Sequence, residues 1–480
     1  MNFRIIAYIV GWVCNFQAAF MMLPLLTAGI YREKDFSAFL LVMLVCLVVG
    51  VPLTRKKPKN KVFYIKDGCV AVALSWLALC IFGSIPFVVS GCIPHPIDAL
   101  FETVSGFTTT GSSILSDVEV LPHCILIWRS FTHWIGGMGV LVFLLSLLPL
   151  AGGYHMNLMK AESPGPSVSK LVPKVQSTAK ILYTIYFGMT LIQLALLLIG
   201  RVPLFDSLCI TFGTAGTGGF GIVNDSLGSY STYCQVVTTI FMILFGVNFS
   251  AYYLILTKKF RQAFKYEEVR YYFGIIAVAI VIIALNTAHL FRNLLTAFQQ
   301  AAFQVGSIIT TTGFSTVDFD QWPTFSRALL VLLMFIGACA GSTGGGIKCS
   351  RILLLGKSVK KEMMCLIHPR LVRVNKMDGQ RVPHEVMRSI NVFVVAYAFI
   401  FILSLLIISL NCEDLVTCFT SVATTLNNVG PGLSLCGPTC NFDFFPPLSK
   451  CVLIFDMLAG RLELFPMLLL FTPGTWQRNK

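Results

Sequence analysis

The chain of 480 residues is 56% hydrophobic and only 12% charged, with a formal net charge of +14. This composition leaves too few polar side chains to cover a soluble globule, so it excludes a soluble domain and predicts an all-α polytopic membrane protein. Nucleic-acid binding is excluded as well, because no basic face with interleaved aromatic side chains lies on a soluble module.

The apolar segments fall into ten predicted spans, most of about 20 residues, the length that a helix needs to cross the hydrocarbon. The first is interpreted as a retained span and not a signal peptide, because no small-residue cleavage site precedes the second. The spans pair as 4–29 with 36–54, 69–90 with 124–150, 178–200 with 233–257, 271–290 with 326–358, and 388–410 with 447–472. We therefore expect a leading two-helix hairpin and four repeats, with boundaries at 1–66, 67–175, 176–268, 269–385 and 386–480.

Lys and Arg residues are clustered between the pairs of spans. The positive-inside bias predicts that such segments, and with them both termini, are cytoplasmic. The clusters lie at 55–66, 160–180, 258–270, 348–388 and 478–480. They could dock an acidic cytoplasmic subunit, although anionic lipid would account for many of the charges.

The segments that alternate with these clusters are then external, and they hold half of the 22 acidic residues of the chain. These acids are Asp98, Glu102, Asp117, Glu119, Asp206, Asp225, Asp318, Asp320, Glu413, Asp414 and Asp443. A negative outer mouth would concentrate cations. The alternative is that acids merely avoid the cytoplasmic face.

Each external segment contains a short apolar stretch that runs into a loop centred on Gly. A stretch of about ten residues cannot cross a bilayer, so each is predicted to be a re-entrant half-helix that returns through its loop. The loops are Thr-Thr-Thr-Gly-Ser at 108–112, Thr-Gly-Gly-Phe-Gly at 217–221, Thr-Thr-Thr-Gly-Phe at 310–314 and Asn-Asn-Val-Gly-Pro at 427–431. We expect four pseudo-symmetric helix–pore-loop–helix repeats around one pore, preceded by two extra transmembrane helices.

The composition of the loops predicts an ion filter. A desolvated alkali cation needs several oxygen ligands, which backbone carbonyls and Thr hydroxyls supply without a fixed charge that would trap it. Gly accepts the conformations that turn carbonyls inward, and half-helix dipoles would add attraction. The candidate ion-binding residues are Thr109, Thr110, Gly111, Gly218, Gly219, Thr311, Thr312, Gly313, Asn428, Val429 and Gly430.

The four loops, together with the segment Ala-Gly-Ser-Thr-Gly-Gly-Gly-Ile-Lys at 340–348, resemble the Trk/Ktr/HKT cation transporters, and within that family the TrkH type. The resemblance covers essentially the whole chain. It implies a potassium pathway, with potassium as the substrate and no tightly bound cofactor. It also implies a homodimer in which each protomer has its own pore, and a cytoplasmic nucleotide-binding regulatory subunit of the TrkA type.

The Gly-rich stretch after the third loop is a candidate gate. It is not a phosphate-binding P-loop, because Ile347 separates Gly346 from Lys348 and no strand precedes it. The run of glycines within the span 326–358 must break the helix, which leaves a flexible polar segment just inside the filter. The candidate gate residues are Gly341, Ser342, Thr343, Gly344, Gly345, Gly346, Lys348 and Arg461. The alternative for the glycines is a close helix-packing site.

Arg461 lies in the last span near the middle of the membrane, where a guanidinium is costly unless it faces water or a partner. In the pore it would form an electrostatic barrier, the role that the resemblance favours. The alternative is a buried pair with Glu463 or Asp456, although Glu463 is only two residues away and points elsewhere on a helix. Three other cations, Arg129, Arg327 and Lys450, begin their spans near the external interface and are interpreted as snorkelling side chains.

The sequence therefore predicts a potassium uptake protein of the cytoplasmic membrane, and not an enzyme. The alternative is a potassium symporter coupled to sodium or protons. The apolar spans offer few groups for a proton relay, namely Asp456, Glu463 and His133. Cys436 and Cys440 share one polar loop and could pair if it faces an oxidising compartment, but we expect two free thiols.

Overall fold

A computed structural model describes residues 1–58, 63–139, 175–370 and 374–476. The predicted basic segment at 478–480, most of the one at 160–180 and the end of the span 124–150 lie outside the described residues. The prediction of an all-α membrane fold is confirmed: in the described part, the β-structure is one two-stranded hairpin, β1 (Lys376–Met377) and β2 (Gln380–Arg381).

The chain begins with a helical pair that packs against the first repeat. Its first span consists of α1 (Phe3–Phe20) and α2 (Met22–Tyr31), and its second span is α3 (Phe36–Arg55). The side chain of Gln17 donates a hydrogen bond of 2.9 Å to the carbonyl oxygen of Leu79 in the next helix, and Val13 and Trp76 are buried between the two elements. The pair therefore supports the repeats from one side.

Each of the next four units has a long helix, a short helix and a second helix. In chain order they are α4 (Ile65–Ser90), α5 (Pro96–Phe107) and α6 (His123–Gly137); α7 (Val175–Ile199), α8 (Leu204–Gly216) and α9 (Thr232–Phe245); α12 (Glu267–Thr287), α13 (Leu294–Ile309) and α14 (Thr324–Ile336); and α16 (His384–Ile408), α17 (Leu415–Leu426) and α18 (Pro447–Arg461). The short helices have 12 to 16 residues, so the longest rises only about 24 Å and cannot cross the hydrocarbon.

The second helix of each unit ends earlier than predicted. Among the described helices six could cross a membrane alone, and α9 with α10 (Phe249–Leu256) makes a seventh if this pair, bent by 93°, is one span. The ten continuous spans expected from the sequence are therefore not all present. The remaining helices are α11 (Phe260–Ala263), α15 (Cys349–Ile367), α19 (Phe465–Phe471) and α20 (Pro473–Trp476).

The breaks have local causes in the backbone. The span predicted at 326–358 divides into α14 and α15, and Gly337 ends α14 with a φ of 69° that a helix does not accept. The span predicted at 447–472 divides after Arg461, where Glu463 and Leu464 have φ values of 54° and 68°. Asn248 begins α10 by accepting a hydrogen bond from the Ser250 N–H. The sequence predicted only the first of these breaks.

Candidate functional site: four loops around one axis

The four Gly-centred loops share one backbone conformation. The residue two positions before the central Gly is left-handed in every loop: φ is 56° at Thr109, 54° at Thr217, 59° at Thr311 and 56° at Asn428. The central glycines are left-handed too, with φ of 84°, 78°, 86° and 100° at residues 111, 219, 313 and 430. Thr217 was missing from the predicted site residues, although its position two residues before Gly219 matched that of Thr109 before Gly111.

The loops form a closed ring in chain order. A β-carbon on Gly111 would lie 2.1 Å from the carbonyl oxygen of Gly218, and one on Gly219 would lie 2.0 Å from that of Thr312. A β-carbon on Gly313 would lie 2.4 Å from the carbonyl oxygen of Val429, and one on Gly430 would lie 2.7 Å from that of Thr110, which closes the ring. Each central Gly thus touches the carbonyl that precedes the Gly of the next loop. Such an approach leaves no room for a side chain.

The short helices all end at these loops. Their last residues are Phe107, Gly216, Ile309 and Leu426, so the partial negative charge of each helix C-terminus is directed at the ring. The ring can therefore offer a desolvated cation backbone carbonyls and four helix dipoles. The hydroxyls of Thr110, Thr311 and Thr312 are instead bonded within the protein. No group of three or more His, Cys, Asp or Glu side chains that could hold a metal ion occurs in the described part of the chain.

A cavity of about 170 Å³ lies against one side of the ring, and all four central glycines line it. Its wall is built from small and amide side chains such as Ser112, Asn224 and Asn441, with Arg129 the charged member among the described lining residues. Four predicted mouth acids are instead paired with cations, namely Asp98, Glu102, Asp320 and Asp443. The expected negative mouth does not extend to this wall.

Two cations that were interpreted as snorkelling are buried, so that interpretation is wrong for both. Arg129 is 2% exposed and its Nε lies 2.8 Å from Oε1 of Glu102, which is 1% exposed. Lys450 is 5% exposed and contacts Asp98 at 2.7 Å. Glu102 and Asp98 lie on the first half-helix, 27 and 352 residues from these cations, so local patterning did not identify them as partners.

The Arg129–Glu102 pair supports the first and second loops. The guanidinium of Arg129 donates to the carbonyl oxygen of Gly221 at 3.2 Å and lies 4.3 Å from the centre of the Phe220 ring. The Glu102 carboxylate accepts from the hydroxyl of Ser113, at 3.0 Å, and from the Ile114 N–H. One buried pair thus fixes the outer ends of two loops.

His133 holds the second loop from behind. Its Nδ1 lies 2.8 Å from the carbonyl oxygen of Gly106, which can only accept, so Nδ1 carries the proton. Its Nε2 accepts from the Phe220 N–H at 3.2 Å. Both ring nitrogens are therefore used by a neutral imidazole that connects the first half-helix with the second loop.

The segment between α14 and α15, residues 337–348, is called the Gly-rich loop, and it lies directly beneath the ring. The Gly345 N–H donates to the hydroxyl of Thr311 at 2.6 Å, and the Gly346 N–H donates to the carbonyl oxygen of Asn427 at 3.0 Å. Lys348 donates from Nζ to the carbonyl oxygen of Gly344. The predicted filter and gate residues are thus brought into contact.

Arg461 joins the last unit to this loop. It donates to the carbonyl oxygen of Thr343 at 2.8 Å and to those of Gly136 and Gly137 at 2.5 and 2.7 Å. The alternative pairing from the sequence is not formed, because Glu463 pairs with Arg351 and Asp456 accepts from Ser404. Cys436 and Cys440 are free thiols, as predicted.

Comparisons with known proteins agree with this architecture. The family model described as "TrkH: Cation transport protein" matches residues 35–476. Two proteins named Trk system potassium uptake protein TrkH, from Salmonella typhimurium and Escherichia coli K12, are each 37% identical to this chain over 99% of its length and 100% of theirs. The crystal structure of the potassium transporter TrkH from Vibrio parahaemolyticus matches with a TM-score of 0.89 at 33% identity, covering 99% of this chain and 100% of that one.

Proposed function

Because the chain belongs to the TrkH family of cation transport proteins, we propose that it takes up potassium across the cell membrane through a pore lined by the four loops. The observation that supports this most is the closed ring in which each central Gly contacts the carbonyl of the next loop. A ring of carbonyls can replace the hydration shell of potassium. Four chain segments that meet without an intervening side chain can present such carbonyls at one place.

The proposed path runs from the external cavity through the ring to the Gly-rich loop. Carbonyls of Thr110, Gly218, Thr312 and Val429 are the ligands offered at the ring. Below them Arg461 and the Gly-rich loop are the proposed gate. In the closed state, the hydrogen bond from Arg461 to the carbonyl oxygen of Thr343 holds the guanidinium and the Gly-rich loop beneath the filter. Opening requires that the Gly-rich loop move away.

Regulation and assembly are proposed from the family and from the charge pattern. The basic cytoplasmic segments would dock an acidic nucleotide-binding subunit of the TrkA type, both termini would be cytoplasmic, and two copies would associate as a homodimer. Co-purification from a native membrane should yield such a soluble partner. Charge reversal across 258–270 should abolish regulation by it, and regulation that survives the reversal would refute this docking site.

The transport proposal is tested by the reversal potential of purified protein in a planar bilayer with a potassium gradient. A selective pore should reverse near the potassium equilibrium potential. When a sodium or proton gradient is imposed and the potassium concentrations are kept constant, the reversal potential should not change. A shift with either counter-ion gradient would instead indicate coupled symport.

A further inference from the structure

A buried carboxylate ties together the two ends of the Gly-rich loop. Glu268, the second residue of α12, is 2% exposed. One of its oxygens, Oε1, accepts hydrogen bonds from the Ala340 N–H at 2.7 Å and from the Ser350 N–H at 3.0 Å. Ala340 lies in the first part of the loop and Ser350 just after its end. A single oxygen therefore joins the segments that enter and leave the loop.

The segments that enter and leave the Gly-rich loop, here called its neck, are also joined by backbone hydrogen bonds. The Cys349 N–H donates to the carbonyl oxygen of Ala338 at 3.0 Å. Ala340 and Ser350 are 6% and 1% exposed, so water does not replace Glu268 as the acceptor for their N–H groups. Buried donors that lose their acceptor are costly, and the neck would rearrange to satisfy them. The position of the loop thus depends on this side chain.

The first turn of α12 is also attached to the hairpin β1–β2. The carboxylate of Asp378, in the hairpin turn, accepts from the Glu267 N–H at 2.7 Å and so caps the start of α12. Lys357 of α15 pairs with Glu267 and donates to the carbonyl oxygen of Lys376 at 2.8 Å. Asp378 is exposed, and the turn is an Asp-Gly pair with φ of 52° and 78°.

We infer that Glu268 is a positioning residue of the gate, and that the cap by Asp378 links the exposed hairpin through α12 to the neck of the Gly-rich loop. This inference rests on the proposed function, since it assigns the regulation of the same gate. A force on the hairpin shifts the first turn of α12, and Glu268 carries the shift to Ala340 and Ser350. The hairpin presents Lys376 and Arg381 to solvent, so it fits a protein partner with an acidic surface.

The test is rubidium uptake into proteoliposomes that contain the purified protein alone. Glu268→Ala should raise uptake about fivefold or more, because the loss of one such buried acceptor shifts a two-state equilibrium by about that factor. Glu268→Gln keeps a carbonyl acceptor and should stay within about twofold of the wild type. The ratio of potassium to sodium permeability should not change, since the ring is intact.

The link to the hairpin is tested by a double-mutant cycle and by hydrogen exchange. Asp378→Ala should raise uptake, and adding it to Glu268→Ala should raise uptake no further, because both act through one contact chain. Asp378→Ala should also speed amide exchange in peptides that cover 338–352. Glu362→Ala, which removes an exposed carboxylate of α15, is the matched control and should alter neither quantity.

Three results would overturn the inference: wild-type uptake by Glu268→Ala, a Gln variant that behaves like the Ala variant, or unchanged exchange at 338–352 in Asp378→Ala. Because Asp378 is exposed, its variant gives this last answer even if Glu268→Ala does not fold. Failure of the proposed function has a different signature. If shortening the Gly-rich loop raises uptake while Glu268→Ala does not, only the inference fails, whereas no selective uptake by any variant refutes the pore itself.

Discussion

Arg461 donates a hydrogen bond of 2.8 Å to the carbonyl oxygen of Thr343, and this bond connects the last repeat to the middle of the Gly-rich loop. The charge of Arg461 strengthens the bond, because hydrogen bonds from ionised donors are roughly twice as strong as neutral ones. The guanidinium also donates hydrogen bonds to two carbonyl oxygens of the first repeat, those of Gly136 and Gly137. Three of the four repeats therefore meet at one side chain beneath the ring.

Arg461→Ala is expected to raise rubidium uptake in the absence of any partner by roughly tenfold or more, the factor that follows from losing a hydrogen bond to a charged group. Potassium selectivity should persist, since the proposed ion ligands lie in the ring and not at Arg461. Uptake into proteoliposomes measures the first effect. Arg327→Ala removes an arginine that is one-third exposed and pairs with Asp320, so it serves as the control. Equal uptake by wild type and Arg461→Ala would reject the gate.

Replacing a central glycine of the ring by Ser should weaken discrimination of potassium from sodium. The new β-carbon would meet a carbonyl at 2.1, 2.0, 2.4 and 2.7 Å for residues 111, 219, 313 and 430, so Gly430→Ser should be the mildest. The permeability ratio should fall by roughly fivefold to a hundredfold, as expected from overpacking by 1–3 kcal/mol. Gly91→Ser is the matched control, because Gly91 has a φ of 77° and open space around it. Unchanged ratios in all four variants would exclude the filter.

Breaking the pair between Arg129 and Glu102 should destabilise the protein strongly. Arg129→Met leaves a carboxylate buried without its cation, which typically costs about 3–5 kcal/mol. Arg327→Met breaks a partly exposed pair and should cost about 0–1 kcal/mol. The free energy of unfolding, measured on detergent-purified protein, compares the two variants with the wild type. The double variant Arg129→Met with Glu102→Gln should recover part of the lost stability. If Arg129→Met alone lost as little stability as Arg327→Met, the buried pair would contribute little.

The cap of the fourth short helix should respond to acid. Asp414 accepts from the N–H groups of Val416 and Thr417, and the hydrogen bond from the Thr417 hydroxyl is the main cause that lowers the pKa of Asp414 to about 2. The folded pKa lies below the ordinary value of 3.8, so the stabilisation is complete above about pH 4 and disappears as the pH falls through 2.

Comparison of wild type with Asp414→Asn tests this. The amide keeps an acceptor for the helix N-terminus but does not titrate, so the difference in unfolding temperature between the two proteins should shrink below pH 4. Asp414→Ala should be less stable than wild type by about 0.5–2 kcal/mol at pH 7. A pH-independent difference would show that another group is responsible.

Much of the architecture could be predicted because its signals are local. The composition identified a membrane protein, and each short apolar stretch before a Gly-centred loop identified a half-helix. A break within the span 326–358 was predicted from the run of glycines at 341–346, and α14 ends at Gly337, where φ is 69°. The break at residues 462–464 was missed, because Glu463 and Leu464 are ordinary helix residues that have left-handed φ values only in the folded chain.

The contacts between distant segments could not be predicted. Arg129 and Glu102 are separated by 27 residues, and nothing in either sequence window shows that one lies against the other. Glu268 was not singled out in the sequence, where it lies within the basic cluster 258–270, although it is buried against a loop more than 70 residues away. Helix packing determines which of these residues come into contact, and this packing depends on the whole chain.

The sequence by itself determined the membrane class, the four loops and the residues within them, because hydrophobic length and the conformational freedom of Gly are properties of short segments. Only the tertiary structure decided that the loops close into a ring in chain order, with the Gly-rich loop, Arg461 and Glu268 beneath it. The physical reason is that the ring exists only where four backbones approach within a few ångströms. That approach is set by packing between helices far apart in the sequence, and by the buried charges that packing brings into pairs.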